Sequence, residues 1–226
     1  MIEVVKMLGD SNDRFDSILA YIQKETSNVV IQEFNSDIYG SVRNIIIPAT
    51  NAPKILLVAH HDVIKGSKGY NDNGSGVAIS LNILKYVIQN NITNVEFLFS
   101  DKEEFGGIGI RHYLENNIKR LDKTFGINLD VCGLGDTIFF KRYITKRSIK
   151  LPSENELDVP FSDSYVLQQF NVENVLFITG IDDKTKLISY IFEHQHNGHL
   201  DNKIEELNDT IMQKVYDLVI DIIKED

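Results

Sequence analysis

The stretch from Ile55 to Val77 constrains the fold more than any other part of the chain. Ile55-Leu-Leu-Val-Ala59 is an unbroken apolar run, the pattern of a strand buried on both faces. Such a strand asks for helices above and below it, and so for a layered α/β architecture. At its carboxyl end stand His60, His61 and Asp62, and ten residues later Asp72 sits in the turn Asn71-Asp-Asn-Gly-Ser-Gly76. That turn leads into the apolar segment Val77 to Ile88. In open α/β sheets, ligands bind in the crevice outside the carboxyl ends of the strands. A strand, His-x-Asp, a tight turn with a second aspartate and a buried helix, in that order, set up a metal site.

The rest of the chain reads as further alternation of strands and helices. Residues 11–25 open with the caps Ser11 and Asn12 and place Phe15, Ile18, Leu19 and Ile22 at helical spacing. Val29 to Phe34 and Val42 to Ile47 are β-rich, with a turn at 37–40 between them. Residues 75–90 are apolar nearly all round, as in a core helix. Val95 to Phe99 is a second buried strand ending in Ser100-Asp-Lys-Glu103-Glu104, followed by a helix through Leu114. Phe125 to Leu129, Thr137 to Phe140 and Val175 to Thr179 are further strands, and residues 203–224 form an amphipathic helix with Ile204, Leu207, Ile211, Val215, Leu218 and Ile222 on one face. Residues 141–165 are the least regular part, with Lys141, Arg142, Lys146, Arg147 and Lys150 ahead of Pro152 and Pro160, and read as a solvated loop or as a substrate-binding rim. No repeat or linker interrupts the pattern, so residues 1–226 are expected to form one domain with a mostly parallel, doubly wound sheet.

Bulk properties narrow the function classes. The formal charge of −10 argues against nucleic acid and against an anionic membrane surface as partners. Residues 1–16 carry Glu3, Lys6, Asp10, Asp13, Arg14 and Asp16 and no long apolar core, so neither a signal peptide nor a membrane span is expected there. Cys132 is the single cysteine, which fits a reducing compartment, and the expected address is the cytoplasm. Oligomeric state is not legible.

Several strand ends carry groups that bind metals: His60 and Asp62, Glu103 and Glu104, and Asp130. Asp72 comes from the turn, and His194, His196 and His199 follow the last strand. Each alone has a plainer reading. The histidines at 60 and 61 could cap a strand, paired acids usually form a solvated face, Asp72 alone is a turn residue, Asp130 could be an N-cap, and His112 within a helix is structural. Together they fall at strand ends on one side of the sheet. Two divalent ions about 3.5–4 Å apart need a bridging carboxylate between them and an open position for water. Oxygen ligands mixed with imidazole suit Zn2+, with Mn2+ or Co2+ also compatible.

These motifs resemble the co-catalytic di-zinc aminopeptidase family, which includes bacterial leucyl aminopeptidases and has glutamate carboxypeptidase II and glutaminyl cyclases as relatives. The similarity rests on His60-x-Asp62, Asn71-Asp-Asn-Gly-Ser-Gly-Val77, Glu103-Glu-Phe-Gly-Gly-Ile-Gly109 and Asn128-Leu-Asp130. Asn44-Ile-Ile-Ile and Phe161-Ser-Asp163 extend it over most of the chain. The resemblance implies a single three-layer α/β/α domain with a mostly parallel mixed central sheet, of the zinc-aminopeptidase and phosphorylase-like kind. It also implies two Zn2+ ions bridged by Asp72, one completed by His60 and Asp130, the other by Glu104 and a late histidine. Glu103 would be the general base, with Asp62 behind His60 fixing its tautomer.

The implied activity is removal of the N-terminal residue from peptides with a free amino terminus. A carboxypeptidase, amidohydrolase or glutaminyl cyclase of the same clan, or a non-catalytic relative, is the alternative. The family's last histidine is usually followed four residues later by an acid, whereas Asp201 lies five after His196 and two after His199. His196 is favoured as the ligand, then His199, then His194. Ser164 stands where the family often has a histidine.

Overall fold

The structure is a computed structural model that describes residues 1–121, 123–143, 151–159, 161–172, 174–181 and 201–225. The strands are β1 (Val30–Ser36), β2 (Gly40–Ile47), β3 (Ile55–His60), β4 (Val95–Ser100), β5 (Phe125–Leu129), β6 (Thr137–Arg142) and β7 (Asn174–Ile181). The α-helices are α1 (Ile2–Gly9), α2 (Arg14–Glu25), α3 (Gly74–Gln89), α4 (Ile108–Asn117), α5 (Asp163–Gln169) and α6 (Asp209–Lys224).

Among the described residues the strands form one seven-stranded sheet in the order β1-β2-β4-β3-β5-β7-β6. The inner four, β4, β3, β5 and β7, run parallel, while β2 and β6 flank them antiparallel and β1 closes a hairpin with β2. Alternate residues of β3 explain the layers. Ile55, Leu57 and Ala59 pack with α1, α2, α3 and α6, whereas Leu56 and Val58 pack with Ile110, Tyr113 and Leu114 of α4 and Val166 and Leu167 of α5. Burial of each large apolar side chain on either face contributes roughly 2 kcal/mol. The result is a single three-layer α/β/α domain.

Strand order decides where a ligand can sit. The chain passes from β3 through α3 to β4 on one side, then through α4 to β5 on the other side of β3. The crevice at the carboxyl end of β3 is therefore a topological switch point.

One helix and two helix starts differ from what the residue pattern suggests. Helix α1 carries no clear sequence signal, because its charged residues hide a short apolar face in which Val5 and Leu8 are buried. Helix α2 begins at Arg14 rather than near Ser11, since Asp13 is the cap whose side chain accepts from the Asp16 amide. The C-terminal helix starts at Asp209, after a 3-10 turn at Ile204–Glu206, because the Asn208 amide is tied to the Gly133 carbonyl at 2.8 Å and its side chain caps the Thr210 amide. Ile204 and Leu207 thus lie outside the helix.

Candidate metal centre

Strand register brings the site residues level. His60 pairs with Ser100 across β3 and β4, and Val58 pairs with Asn128 across β3 and β5. Two residues beyond Asn128, Asp130 arrives beside His60, anchored by its amide to the Ile178 carbonyl of β7 at 3.1 Å. Asp72 comes in from the turn before α3. Asn73 caps that helix, accepting from the Gly76 amide at 3.0 Å and donating to the Leu129 carbonyl at 2.8 Å. Position 76 must be glycine, since a Cβ there would lie 2.6 Å from the Leu129 carbonyl oxygen. The peptide bond between Asp72 and Asn73 is cis.

The donor atoms converge. His60 Nε2 lies 3.1 Å from Asp72 Oδ1, 3.5 Å from Asp130 Oδ1 and 4.0 Å from Glu103 Oε2. One donor atom from each of His60, Asp72 and Asp130 fits within a 4.8 Å span. On the far side of the ring, His60 Nδ1 faces Asp62 Oδ1 at 3.4 Å. The same Asp62 carboxylate accepts from the amides of Glu103 at 3.0 Å and Glu104 at 3.3 Å. One aspartate thereby orients both the imidazole and the Glu103-Glu104 pair. His60 is 1% exposed. Beside it a cleft is lined by Asp72, Glu103, Glu104 and Asp130 together with Val131, Val159, Phe161 and Phe177.

Among the described residues that line the cleft there are four acids and no Lys or Arg. Burial raises the Glu103 carboxyl well above its ordinary value, with Asp130 and Asp163 adding to the rise and His60 opposing it. Burial, then Asp72, push Glu104 up to about 9. Asp130 is raised as well, by burial and against the pull of His60. Burial would lower the His60 imidazole, yet Asp130, Asp62 and Asp72 hold it well above its usual value. Asp62 moves the other way: burial would raise it, but His60 and the Glu103 amide keep it low.

The donor set passes a test of fit for a divalent cation. Among the described residues Asp130 Oδ1 is buried without a hydrogen-bond partner, with His60 Nε2 3.5 Å away, and a buried carboxylate oxygen left so is costly unless a cation meets it. Imidazole with carboxylate oxygens is a set that zinc accepts.

A sequence model for peptidase family M28 matches residues 44–215. The chain belongs to that family. Over 180 residues this M28 chain is 27% identical to a vacuolar membrane protease of Candida dubliniensis, covering 69% of this chain and 19% of that protein. The chain thus spans about a fifth of that relative's length. In three dimensions it is similar to the glutaminyl cyclase of Porphyromonas gingivalis, with a TM-score of 0.75 at 20% identity, covering 99% of this chain and 96% of that one. It is also similar to a zinc aminopeptidase from Bacillus subtilis, with a TM-score of 0.62 at 22% identity over 80% of this chain and 48% of that one. At these identities both show a shared fold.

Of the residues singled out from the sequence, His60, Asp62, Asp72, Glu103, Glu104 and Asp130 meet in this one site of the M28 chain. The histidines at 194, 196 and 199 lie outside the described residues, as do Lys146, Arg147, Lys150 and Pro160. His61 turns away, its Nε2 2.8 Å from the Arg43 carbonyl and its ring against Phe15. His112 stacks on Phe34 on the surface of α4, a structural position. Ser164 is buried, its amide donating to Asn128 Oδ1 at 3.0 Å and its hydroxyl sharing a hydrogen bond with Ser162.

Sequence reasoning misses two buried residues near the site. Asp201 enters it only as a spacing marker, yet its carboxylate holds the amides of Asn71 and Asp72. Burial pushes it up to about 7, although those two amides pull the other way. Arg14 is 9% exposed and reaches the loop at 68–69. A cation in the first turn of a helix opposes the helix dipole; that mismatch is the available signal.

Proposed function

We propose that this chain is a metal-dependent aminopeptidase that removes the N-terminal residue of peptides. The observation that carries the reading is the meeting of His60, Asp72, Asp130, Glu103 and Glu104 at one cleft, with a buried oxygen of Asp130 that accepts no hydrogen bond from the described residues. His60, Asp72 and Asp130 would hold one zinc ion, and Glu104 with Asp72 and a later histidine would hold a second. When bound, such ions supply Lewis acidity toward a carbonyl oxygen and acidify a water molecule.

The chain's own residues do the remaining work. Asp62 fixes the His60 ring so that Nε2 faces the cleft, and through the 103 and 104 amides it aims the adjacent acids. Glu103 takes the proton of the attacking water and passes it to the leaving amine, a role suited to a buried carboxyl of raised basicity. Coordination would neutralise Glu104, leaving Glu103 free to titrate. The acidic residues of the cleft suit a substrate's α-ammonium group, and Val131, Val159, Phe161 and Phe177 give it an apolar lining.

Zinc content, together with hydrolysis of aminoacyl anilides and short peptides carrying free or acetylated amino termini, tests the proposal. Release of the first residue only from free termini, lost on chelation, is the expected result. Whole-length structural similarity to a glutaminyl cyclase supports a second reading. Ammonia released from an N-terminal glutamine peptide, without loss of a residue, would favour it. Acyl-amino acid cleavage would move the chain to the amidohydrolases. The cytoplasm is the compartment we propose, supported by the free, buried Cys132.

A further inference from the structure

The loop that carries Asp72 does not hold itself in place. Its carbonyl side is gripped from α2: Arg14 Nη2 donates to the Lys68 carbonyl and, at 2.9 Å, to the Gly69 carbonyl. Its amide side is gripped by a residue from the far end of the chain. Asp201 Oδ2 accepts from the Asn71 amide at 3.0 Å and the Asp72 amide at 2.8 Å, and Asp201 Oδ1 accepts from the Asn71 amide at 2.7 Å. Beside it, the Asn202 side chain accepts from the Lys68 amide at 2.5 Å and donates to the Gly66 carbonyl at 3.3 Å. Asp201 is 4% exposed. At Gly69, φ is +57°, and a Cβ there would lie 2.9 Å from Arg14 Nη2 and 2.6 Å from the Asp72 carbonyl oxygen, so glycine is what lets the guanidinium seat.

We propose that Asp201 and Arg14 are positioning residues that set Asp72 for metal binding, gripping its loop by its amides and its carbonyls respectively without touching the ion. This rests on the metal-centre reading above. The reasoning is geometric. A carboxylate that accepts backbone amides on both sides of a bond fixes the direction in which the Asp72 side chain leaves the chain. Arg14 Nη2, donating to two successive carbonyls, does the same for the backbone before it. Groups that orient ligands in this way typically govern metal affinity by about 10–100-fold.

The test is zinc affinity of the full chain, by chelator competition, with the visible spectrum of the Co2+-loaded chain as a second readout and thermal unfolding of the metal-free chain as a third. Asp201→Ala should weaken zinc by about 10–100-fold and perturb the Co2+ spectrum. Asp201→Asn, whose amide oxygen still accepts, should fall between. Arg14→Lys keeps the charge but displaces the donor nitrogen that Nη2 supplies, and should also fall between.

Glu96→Gln, at a buried carboxylate away from the site, controls for general destabilisation and should lower the melting temperature while leaving zinc affinity unchanged. Wild-type zinc affinity and spectrum in Asp201→Ala would overturn the proposal. If that variant does not fold, the same outcome in Asp201→Asn overturns it. Zinc affinity lost equally in Glu96→Gln would reduce the effect to stability and overturn it too. A wild-type chain that takes up no zinc would instead sink the metal-centre reading itself.

Discussion

Glu96 and Asp130 are both buried carboxylates of the central sheet, and they are satisfied in opposite ways. Glu96, on β4, is fully buried and accepts from Arg120 on both oxygens, from the Tyr113 hydroxyl and from the Ala49 amide at 3.3 Å. Its charge is met within the chain. Asp130, just past β5, has a buried oxygen with no hydrogen bond among the described residues and shares its surroundings with Asp62, Asp72, Glu103 and Glu104. One cluster is closed, as buried ion pairs must be if they are not to cost stability. The other is open, and that separates a carboxylate that supports the fold from one that awaits a cation.

The contrast can be pressed hardest at Glu103. Glu103→Gln should cut turnover about 10²–10⁴-fold, the usual worth of a general base, while zinc content stays at the wild-type level by metal analysis. Near-normal turnover would remove Glu103 from the base role. Next in size, saturating zinc should stabilise the wild-type chain by about 4 kcal/mol at a thousand times its dissociation constant, read as a rise in melting temperature that a chelator reverses. Asp130→Asn should shrink that rise, because it removes one of the donors that meet at His60.

At the closed cluster the signs reverse. Glu96→Gln should destabilise by about 2 kcal/mol, reduced because the Arg120 side chain is 40% exposed and can be solvated. Urea unfolding would measure it, and unchanged zinc affinity would complete the contrast. The smallest effect is expected at Asn73→Ala, which removes the α3 cap and should cost about 1 kcal/mol.

Much of the open cluster is legible in the order of the residues alone. The apolar run at 55–59 signals a strand covered on both faces, and acids or imidazole directly after such runs mark the carboxyl edge of the sheet. Registry then does what local pattern cannot show, setting His60 level with Ser100 and bringing Asp130 alongside. The closed cluster is hidden for the opposite reason. Glu96 falls inside an apolar strand, and its partners Tyr113 and Arg120 lie in helical segments whose spacing to Glu96 has no local signature. Arg14 and Asp201 escape notice for the same cause, since their contacts join residues far apart in the chain. The start of α6 depends on the Asn208 amide finding Gly133, again a tertiary contact that overrides a plausible helical period.

Because β3 and β5 deliver His60 and Asp130 only after pairing in register, a partly assembled sheet does not yet bring these two and Asp72 together. Ion uptake by that triad would therefore report that the strands have paired. During synthesis the triad could not close until Asp130 had left the ribosome and β5 had docked.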